Sequence, residues 1–480
     1  MSISREEPSY LASSMARLRG KHPEDKSASL VLADPIDALV ARIALMRKAQ
    51  HSLDVQYYIF KNDLSGQLLA NEMLLAADRG VKVRLLVDDL GSFGNDKALY
   101  ALNAHTNIDI RLFNAFSRSR AMISQLVKVN SYKTRRMHNK ALIADNQLSI
   151  IGGRNIGNEY FGANDDVIFA DLDVMVSQPA TQQISNVFDD FWNSPIARDV
   201  VDKFQFEFDQ EKLTAQRNAL SQHLEEQSNS EYARAVGESN LVHANGIFQL
   251  DFTWSNVLVS ADKAKKITAP RDEFDLMMAP QLESLFSSLQ SDLILVSPYF
   301  VPGDKGVAYF KSLRERGINI TIITNSLASN DVPIVHSGYA KYRKALLKMG
   351  VRLFEIDGRD VKKRQYNSFS DRFASKSSLH AKFFILDNKA TFIGSFNFDP
   401  RSVFENTEIG VTLLSEPLSQ NIANEINTTL YQVAFELTLD ERDKIVWTLG
   451  DESYNVEPGT SWLKRSANVL MGLLPVESQL

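Results

Sequence analysis

The sequence contains two diverged copies of one pattern, and this repeat constrains the fold more than any other feature. In the first half the segments LDVQYYIF, LLAADRGVKVRLLVDD and MHNKALIADNQLSIIGGRN follow one another, and LILVSPYF, FKSLRERGINITIITNS and LHAKFFILDNKATFIGSFN follow in the same order in the second half. His138 and His380 lie 242 residues apart, as do Asn155 and Asn397. Self-similarity at a fixed offset indicates two copies of one structural unit. We therefore expect two pseudo-equivalent halves.

Within each copy, segments with helical periodicity alternate with short strand-like segments. Asp34 followed by Pro35 is a typical helix start, and a strand is expected over 53–60. The next helix ends at Gly80, and a further strand follows over 81–87. This alternation predicts parallel strand pairing. The expected fold class is α/β, with two pseudo-equivalent halves whose sheets are flanked by helices and pack around a shared interface.

Composition and repeat boundaries predict the organisation of the rest of the chain. We expect a mobile N-terminal tail at 1–33, a first half at 34–204, an acidic helical connector at 205–265, a second half at 266–445 and a C-terminal tail at 446–480. The C-terminal tail has an amphipathic pattern: Trp462, Leu463, Val469, Leu470, Leu473 and Leu474 recur at helical spacing, opposite Lys464, Arg465 and Asn468. Such a helix suits a membrane interface or a position on the protein's own core.

Several classes of protein are excluded by composition. The chain has 480 residues and no cysteine, so disulfides, thiolate metal sites and cysteine nucleophiles are ruled out. A hydrophobic fraction of 44% with 23% charged residues indicates a globular protein. The N-terminus lacks the apolar run of a signal peptide, and an uncharged apolar stretch of about 18 residues, as a spanning helix requires, does not occur.

The chemistry of the repeat is concentrated in the pattern His-x-Lys-x4-Asp, which occurs twice. The two occurrences are His138, Lys140, Asp145 and His380, Lys382, Asp387. A neutral imidazole beside an ammonium group suits attack on a phosphate, because the ring is a nucleophile or proton carrier and the lysine neutralises phosphate oxygens. Packing alone gives no reason to duplicate this polar trio, so we expect both copies to be functional.

Amide and carboxylate side chains follow each motif. Asn155 in GGRN and Asn397 in GSFN lie in glycine-containing turns that suit phosphate binding, although ordinary turn chemistry is the alternative. A nucleophilic imidazole also needs a group that fixes its tautomer, commonly a carboxylate. Two candidates present themselves: Glu408 in ENTEIGV and Asp173 in FADLDVMV.

With these motifs the sequence resembles the phospholipase D superfamily, whose hallmark is two His-x-Lys-x4-Asp motifs each followed by Gly-[Gly/Ser]-x-Asn. The runs QYYIF, RRMHNKALIAD, GGRNIGNEYFG and FADLDVMV resemble the bacterial cardiolipin synthases, in particular their C-type branch. The resemblance implies one active site between the halves, without a metal or other cofactor, and a covalent phosphohistidine.

The resemblance also implies roles for individual residues. His138 would be the nucleophile and His380 the general acid/base, although the pseudo-symmetry leaves this assignment open. Lys140, Lys382, Asn155 and Asn397 would hold phosphate oxygens, whereas Asp145 and Asp387 correspond to family positions that support the site. Glu408 matches the family's carboxylate partner of a histidine well, and Asp173 matches it less closely in spacing.

Charge distribution indicates an anionic partner. Residues 118–136 contain six basic and no acidic residues, and residues 341–376 contain eleven basic and four acidic ones, although the whole chain has a net charge of −6. These basic flanks would attract an anionic substrate or an anionic membrane surface. Apolar residues are interleaved with the first flank, which favours a membrane over nucleic acid, since stacking aromatics are typical of nucleic-acid grooves. The alternative for these charges is a solvated loop.

These observations give a leading hypothesis and three alternatives. The leading hypothesis is a cardiolipin synthase, peripheral on the cytoplasmic face of a bacterial inner membrane. By resemblance, its acceptor would be phosphatidylglycerol and its donor phosphatidylglycerol or phosphatidylethanolamine. The alternatives are a hydrolytic phospholipase D releasing phosphatidic acid, a nuclease of the same superfamily, and a non-catalytic membrane scaffold. The sequence indicates no particular protein partner.

A last set of candidates concerns the substrate pocket. Tyr57, Tyr58 and Tyr299 lie at the ends of strands that should point toward the site. They would line an acyl or headgroup pocket or belong to the core. His336 begins a helical stretch and would either contact substrate or simply end a helix.

Overall fold

The structure is a computed structural model that describes residues 8–92, 94–117, 132–163, 169–203, 210–239, 241, 247–359 and 378–472. The strands are β1 (Ser27–Leu32), β2 (Ser52–Tyr57), β3 (Lys82–Asp88), β4 (Ile108–Phe113), β5 (Ala141–Ala144), β6 (Leu148–Gly152), β7 (Phe169–Ala170), β8 (Asp173–Ser177), β9 (Ala197–Asp199), β10 (Thr253–Ala261), β11 (Asp292–Val296), β12 (Asn319–Asn325), β13 (Arg352–Ile356), β14 (Ser378–Leu379), β15 (Phe383–Leu386), β16 (Ala390–Gly394), β17 (Ile409–Leu414), β18 (Ala434–Leu439), β19 (Ile445–Leu449) and β20 (Glu452–Tyr454).

Helices cover both faces of the strands. The α-helices are Tyr10–Arg19, Pro35–Lys48, Leu64–Asp78, Asp96–Leu102, Asn158–Phe161, Ala180–Trp192, Val200–Lys203, Gln210–Gln227, Glu231–Gly237, Ala279–Ser287, Gly303–Glu315, Pro333–Ala340, Arg343–Lys348, Pro400–Phe404, Glu416–Val433 and Trp462–Gly472. Short 3-10 helices are Tyr132–Thr134, Ile247–Gln249, Ala264–Ile267 and Phe274–Leu276.

The first expected helix begins as its sequence indicates. Asp34 accepts a hydrogen bond from the backbone N–H of Asp37, and Pro35 occupies the first turn, where a missing N–H costs nothing. The next helix ends just before Gly80, whose φ of +94° favours glycine. These helix boundaries are confirmed.

One mixed sheet of 18 strands runs through the described residues of both halves. Its spatial order is β9-β4-β3-β2-β5-β6-β8-β1-β10-β17-β16-β15-β11-β12-β13-β18-β19-β20. The order in one half is the mirror sequence of the order in the other, as a diverged duplication requires. The α/β expectation with two pseudo-equivalent halves is confirmed.

The expectation of parallel pairing holds for only part of the sheet. Only β2, β3 and β4, and their counterparts β11, β12 and β13, pair in parallel within it. The motif strands β5 and β6 instead form a tight antiparallel hairpin, because Asp145 and Asn146 adopt φ values of +50° and +52°. The alternation of helical and strand-like segments in the sequence does not indicate these short turns.

The two halves pack against each other through a continuous apolar core. Side chains from the strands of both halves form this layer, including Ile143, Val174, Ile294, Ile385 and Val411. Short strand segments also pair across the halves: β7 runs parallel to β14, and Met137 forms a bridge with Thr407. The interface is therefore held by both hydrophobic burial and backbone hydrogen bonds.

Three of the expected boundaries are corrected by the sheet. The segment at 1–33 is not a tail from residue 8 onward, because it contains a helix and β1, which pairs with β8 and β10. The connector at 205–265 contains the helices Gln210–Gln227 and Glu231–Gly237, but β10 near its end belongs to the sheet and pairs with β17 of the second half. Similarly, β19 and β20 extend that sheet beyond residue 446. In each case the segment contains a strand that pairs with distant strands, and local composition does not indicate this pairing.

The C-terminal helix Trp462–Gly472 packs on the protein with its polar side. Asn468 is buried, and the helix contacts the helix Pro333–Ala340. By contrast, Trp462, Leu463, Val469 and Leu470 are 60–67% exposed. Leu473 and Leu474, which the sequence places on the same apolar face, lie outside the described residues. No helix within the described ranges is both long and apolar enough to cross a membrane.

Candidate active site

The two motif histidines lie at the interface, each beside a backbone segment of the other half. His138 and His380 immediately precede the hairpins β5–β6 and β15–β16. The backbone N–H of His138 donates to the carbonyl oxygen of Thr407 at 2.9 Å, and that of His380 donates to Ala170 at 2.8 Å. Both imidazoles are buried. These two cross-half bonds bring both motifs to one place.

The residue after each of these carbonyls is a carboxylate that holds the histidine ring. Glu408 Oε2 lies 2.9 Å from His138 Nδ1, and Asp171 Oδ2 lies 2.5 Å from His380 Nδ1. Both carboxylate side chains are fully buried. A carboxylate at Nδ1 places the proton there and leaves a lone pair on Nε2. Each half thus supplies the orienting group for the other half's histidine.

The expectation that Asp173 orients a histidine is wrong. Asp173 Oδ2 instead lies 2.8 Å from Arg42 and 3.2 Å from Arg154, in a fully buried ionic cluster. Sixteen residues separate Asn155 from Asp171, whereas eleven separate Asn397 from Glu408, and this difference obscures the match. The correspondence becomes clear from the residues that follow each carboxylate. The segment DLDV aligns with EIGV, so Asp171 corresponds to Glu408.

The two lysines lie in the same buried space as the histidines. The Nζ of Lys140 donates to the carbonyl oxygen of His138 at 2.7 Å, and that of Lys382 donates to the carbonyl oxygen of His380. Burial lowers the pKa of Lys140 to about 7 and that of Lys382 to about 8. The site therefore contains two ammonium groups that are close to neutralisation at physiological pH.

Both histidines are held neutral by their surroundings. Burial, together with the positive charges of Lys140 and Lys382, lowers the pKa of His138 and of His380 well below the usual value. Burial also raises the pKa of Glu408 to about 7. Because lysines of both halves act on each ring, the four side chains form one electrostatic unit.

The side chains of the two asparagines differ in their hydrogen-bond partners. Asn155 accepts a hydrogen bond from the backbone N–H of Ile59 at 3.2 Å and donates to the Tyr160 hydroxyl at 2.9 Å. Asn397 is buried, and its Oδ1 has no hydrogen-bond partner among the described residues. An unpartnered buried amide atom is costly unless a ligand or water pairs with it. The unpaired Oδ1 of Asn397 thus suits a hydrogen bond from a hydroxyl group of a bound substrate.

The motif aspartates do not reach the histidines. Asp145 lies in the hairpin turn at the far end of β5 and accepts backbone N–H bonds from Gln50, His51 and Ser52. Asp387 makes the same contacts with 290–292 in the second half. These aspartates fix the loop before β2 or β11, so they support the fold and are not catalytic contacts.

Two of the four expected pocket residues lie at the site. The ring of Tyr58 meets that of His138 edge-on, with centroids 5.2 Å apart. The hydroxyl of Tyr299 bonds to Asp331 at 2.9 Å, and burial followed by the Asp331 charge raises its pKa. Tyr160 contributes to the electrostatic environment of Tyr299, which places Tyr299 near the His380 side of the site.

The other two expected pocket residues belong to buried clusters elsewhere. The Tyr57 hydroxyl accepts a hydrogen bond from Arg42 at 3.0 Å, within the cluster around Asp173. His336 contacts Arg343 and Glu457 under the C-terminal helix, where burial lowers its pKa. Strand and helix positions alone did not distinguish these residues, because their partners are distant in sequence.

Sequence reasoning also missed the groups that surround Glu408. Ser395 donates to Glu408 Oε2 at 2.5 Å, and Ser402 donates to Oε1 at 3.1 Å. The backbone N–H of Glu408 donates to Asp262, which pairs with Lys266 at 2.9 Å. Ser395 lies inside the quoted GSFN turn, so its position was a signal. Asp262 and Lys266 lie outside the repeated sequence segments, so the sequence gave no signal for their positions.

Within the described residues, most basic side chains of the two flanks are engaged in ion pairs. Residues 118–131 and 360–377 lie outside the described residues. Of the remaining flank, Arg135 pairs with Glu405, Arg136 with Asp88 and Arg343 with Glu355. Arg352 and Arg359 are likewise paired. A count of charges in sequence does not reveal such pairing, because the acidic partners come from other segments.

The described residues contain no group of three or more His, Asp or Glu side chains placed to hold a metal ion. The donor set of the site is two imidazoles, two ammonium groups and amide side chains. Such groups can bind and attack a phosphodiester: a lone pair on one Nε2 faces phosphorus, the second ring transfers a proton, and the ammonium groups neutralise the oxygens.

Comparison with known proteins agrees with this site. The profile of the family described as cardiolipin synthase, phospholipase D-like domain, matches residues 43–192 and again residues 282–430. The chain therefore belongs to the family of cardiolipin synthases built from phospholipase D-like domains. The double match also confirms the internal duplication.

Individual relatives extend the comparison. The chain is 38% identical to cardiolipin synthase C of Escherichia coli strain K12, over 97% of this chain and 99% of that one. It is 24% identical to a cardiolipin synthase of Staphylococcus aureus strain Mu50, over 82% of this chain and 65% of the other. The crystal structure of phosphatidylserine synthase from Haemophilus influenzae Rd KW20 has the same fold, with a TM-score of 0.60, 13% identity and coverage of 98% and 100%.

The structure separates the roles of Asp171 and Asp173. We expect Asp171→Asn to lower the kcat for phospholipid turnover by about 10²-fold or more, because an amide no longer fixes the His380 tautomer.

We expect Asp173→Ala to lower the free energy of unfolding by about 3–5 kcal/mol, since it leaves two buried arginines unpaired. Steady-state kinetics and urea unfolding measure the two effects.

A matched control is Asp189→Ala, because Asp189 is half exposed and its partner Arg84 keeps Asp54. Its effect on the free energy of unfolding should be below about 1 kcal/mol. If Asp171→Asn retained full turnover, the crossed carboxylate pairing would have no part in the chemistry.

The lysine pKa values predict a basic limb in the pH profile. Protonated Lys140 and Lys382 attract the anionic phosphodiester, and this attraction is lost as the pH rises through about 7 and about 8. We therefore expect kcat/KM to fall above about pH 8. The Lys382→Arg variant should shift this limb upward, because arginine stays charged.

The control for this experiment is Lys389→Arg at an exposed position of the second half. It should leave the profile of kcat/KM against pH unchanged. An identical basic limb in Lys382→Arg and the wild-type protein would show that the loss of activity comes from another group.

Proposed function

We propose that this protein is a cardiolipin synthase that transfers a phosphatidyl group to phosphatidylglycerol through a phosphohistidine. The observation on which the proposal depends is the composite site, in which two neutral imidazoles with crossed carboxylates surround two buried lysines. The family membership and the similarity to cardiolipin synthase C support the choice of a lipid substrate.

In the first step Nε2 of His138 attacks the phosphorus of the donor lipid. An N–P bond forms, the P–O bond to the headgroup alcohol breaks, and His380 gives its proton to the leaving oxygen. The alcohol is glycerol for a phosphatidylglycerol donor or ethanolamine for phosphatidylethanolamine. Binding of the anionic phosphate between the lysines offsets the repulsion that keeps His380 neutral, so the ring is able to hold this proton.

In the second step a phosphatidylglycerol hydroxyl gives its proton to His380 and attacks the same phosphorus. The new P–O bond forms as the N–P bond to His138 breaks, and cardiolipin is released with both histidines restored. Asn155, Asn397, Lys140 and Lys382 hold the phosphate oxygens in both steps. Glu408 keeps His138 in the reactive tautomer and stabilises the positive ring.

Pure protein with defined lipids tests this reaction. We expect vesicles of phosphatidylglycerol alone, and vesicles that also contain phosphatidylethanolamine, to yield cardiolipin detectable by mass spectrometry. The His138→Ala and His380→Ala variants should lower the rate by about 10³-fold or more, because neither imidazole has a substitute nearby. His51→Ala, at an exposed position, is the control.

The products distinguish the alternatives. Phosphatidic acid without cardiolipin would identify a hydrolytic phospholipase D, in which water replaces the acceptor alcohol. Cleavage of single- or double-stranded DNA with no lipid turnover would identify a nuclease. Full cellular function of His380→Ala would identify a non-catalytic scaffold.

We also propose that the protein is peripheral on the cytoplasmic face of the bacterial inner membrane and binds it through the C-terminal helix. The support is the orientation of this helix, which buries Asn468 and exposes Trp462, Leu463, Val469 and Leu470. A soluble helix normally has the opposite orientation, with its apolar face inward. Exposed apolar side chains with an amphipathic aromatic at one end suit the headgroup region of a bilayer.

Replacement of two of these side chains tests membrane binding. The double variant Val469→Ser/Leu470→Ser should lower the fraction that sediments with phosphatidylglycerol vesicles, with affinity reduced by about tenfold or more, because each buried aliphatic side chain contributes about 1.5–3 kcal/mol. The matched control is Leu258→Ser/Leu414→Ser, which replaces two exposed aliphatic residues on the sheet. Equal sedimentation of both variants would exclude the helix as the membrane contact.

A further inference from the structure

The second half contains an apolar groove that the proposed chemistry does not use. Its volume is about 430 Å³, within the range of small-molecule sites. The helices Ala279–Ser287, Gly303–Glu315 and Pro400–Phe404 form its walls, and Phe274, 56% exposed, lies at its rim.

The surface of the groove is almost entirely hydrocarbon. Leu282, Phe286, Phe396, Val403 and Phe404 are among the side chains that line it. Charged residues occur only as Glu283, Lys305 and Asp399. A cavity of this kind offers few hydrogen bonds and suits a long aliphatic group.

The groove adjoins the phosphate site: its wall helix Pro400–Phe404 carries Ser402, whose hydroxyl donates to Glu408 Oε1 at 3.1 Å. Phe398 and Asp399 line it, and they directly follow Asn397, the amide expected to hold the phosphate. Asp399 is close enough to Lys382 and Glu408 to interact electrostatically with both. A molecule with its phosphate between the histidines would therefore extend an attached chain into the groove.

The corresponding region of the first half is filled by charged side chains. Arg42 and Arg154 are fully buried there and pair with Asp173. The repeat places Leu282 where Arg42 stands, since each lies eleven residues before the equivalent strand position Leu53 or Leu293.

The other two members of the cluster are replaced as well. In the sheet, Gly152 lies opposite Asp173 in the first half, and Gly394 lies opposite Gly410 in the second half. Gly410 therefore stands in place of Asp173. Phe396 stands in place of Arg154, two residues after the aligned glycine. Three charged residues of the first half thus correspond to two apolar side chains that line the groove and to a glycine whose side-chain position is occupied by the ring of Phe392.

We propose that this groove binds an acyl chain of the donor phospholipid whose phosphate is attacked. This inference rests on the proposed function. It makes the pseudo-symmetric site directional, because the donor's acyl chain enters on the side of the second half.

Photochemical labelling tests the proposal directly. Phosphatidylglycerol with a diazirine in the acyl chain is added to the full-length protein in phosphatidylglycerol vesicles and irradiated, and mass spectrometry locates the labelled residues. We expect label on groove residues such as Phe274, Leu282 and Phe404. Label found only on the helix Trp462–Gly472 would overturn the proposal.

The chain's own residues are the alternative occupant. Residues 473–480 include Leu473 and Leu474. If label reached the groove only after removal of residues 473–480, that segment would be the occupant and the proposal would be overturned.

Two variants add a functional test. Ala279→Trp fills the groove from its wall, and Phe274→Ser removes an exposed ring from its rim. We expect each to lower the ratio of kcat/KM for dioleoyl over dihexanoyl phosphatidylglycerol by about tenfold, since each methylene withdrawn from an apolar site costs about fourfold in binding. Leu75→Ser, an exposed position of the first half, is the control and should leave the ratio unchanged.

The outcomes separate the two proposals. Wild-type protein that converts no lipid would reject the proposed function, whatever the labelling shows. Wild-type activity with an unchanged chain-length ratio in both variants would reject the acyl groove and leave the proposed function intact.

Discussion

The site depends on the crossed contacts between the halves. Two backbone hydrogen bonds, from His138 to Thr407 and from His380 to Ala170, align each histidine with the carboxylate that follows the accepting carbonyl. Neither motif histidine has its carboxylate partner in its own half. The apolar core between the sheets, the strand pair β7–β14 and the bridge from Met137 to Thr407 all maintain this register. Burial at the same interface then sets the charge states of the histidines and lysines.

Duplication explains why both halves contribute the same side chains to the site. Divergence between the halves explains why the surroundings of these side chains differ. The repeated parts are the histidines, lysines, asparagines and turn aspartates, and each occupies an equivalent position in the two sheets. The diverged parts lie behind them. In the first half the cluster of Arg42, Arg154 and Asp173 fills the interior, whereas the second half has an apolar groove. Two nearly identical reacting groups are thereby given different surroundings.

Sequence patterns predicted the α/β class, the duplication and the motif residues, because a repeat with a fixed offset marks equivalent positions without any knowledge of contacts. They failed for Asp171, since a longer segment after Asn155 displaced the spacing to the carboxylate. They also failed for Tyr57 and His336, and they did not indicate that described arginines of the basic flanks form ion pairs. In these cases the decisive partner, such as Arg42, Glu457 or Glu405, is distant in sequence, and periodicity carries no information about it.

The crossed pairing also bears on how the chain becomes active during its synthesis. His138 and the carboxylate that orients it are 270 residues apart. A ribosome must therefore synthesise the chain through Glu408, just before β17, before the first histidine has its partner. A nascent or truncated first half would have an imidazole and a lysine without the geometry for reaction. Activity thus begins only when the second half has folded against the first.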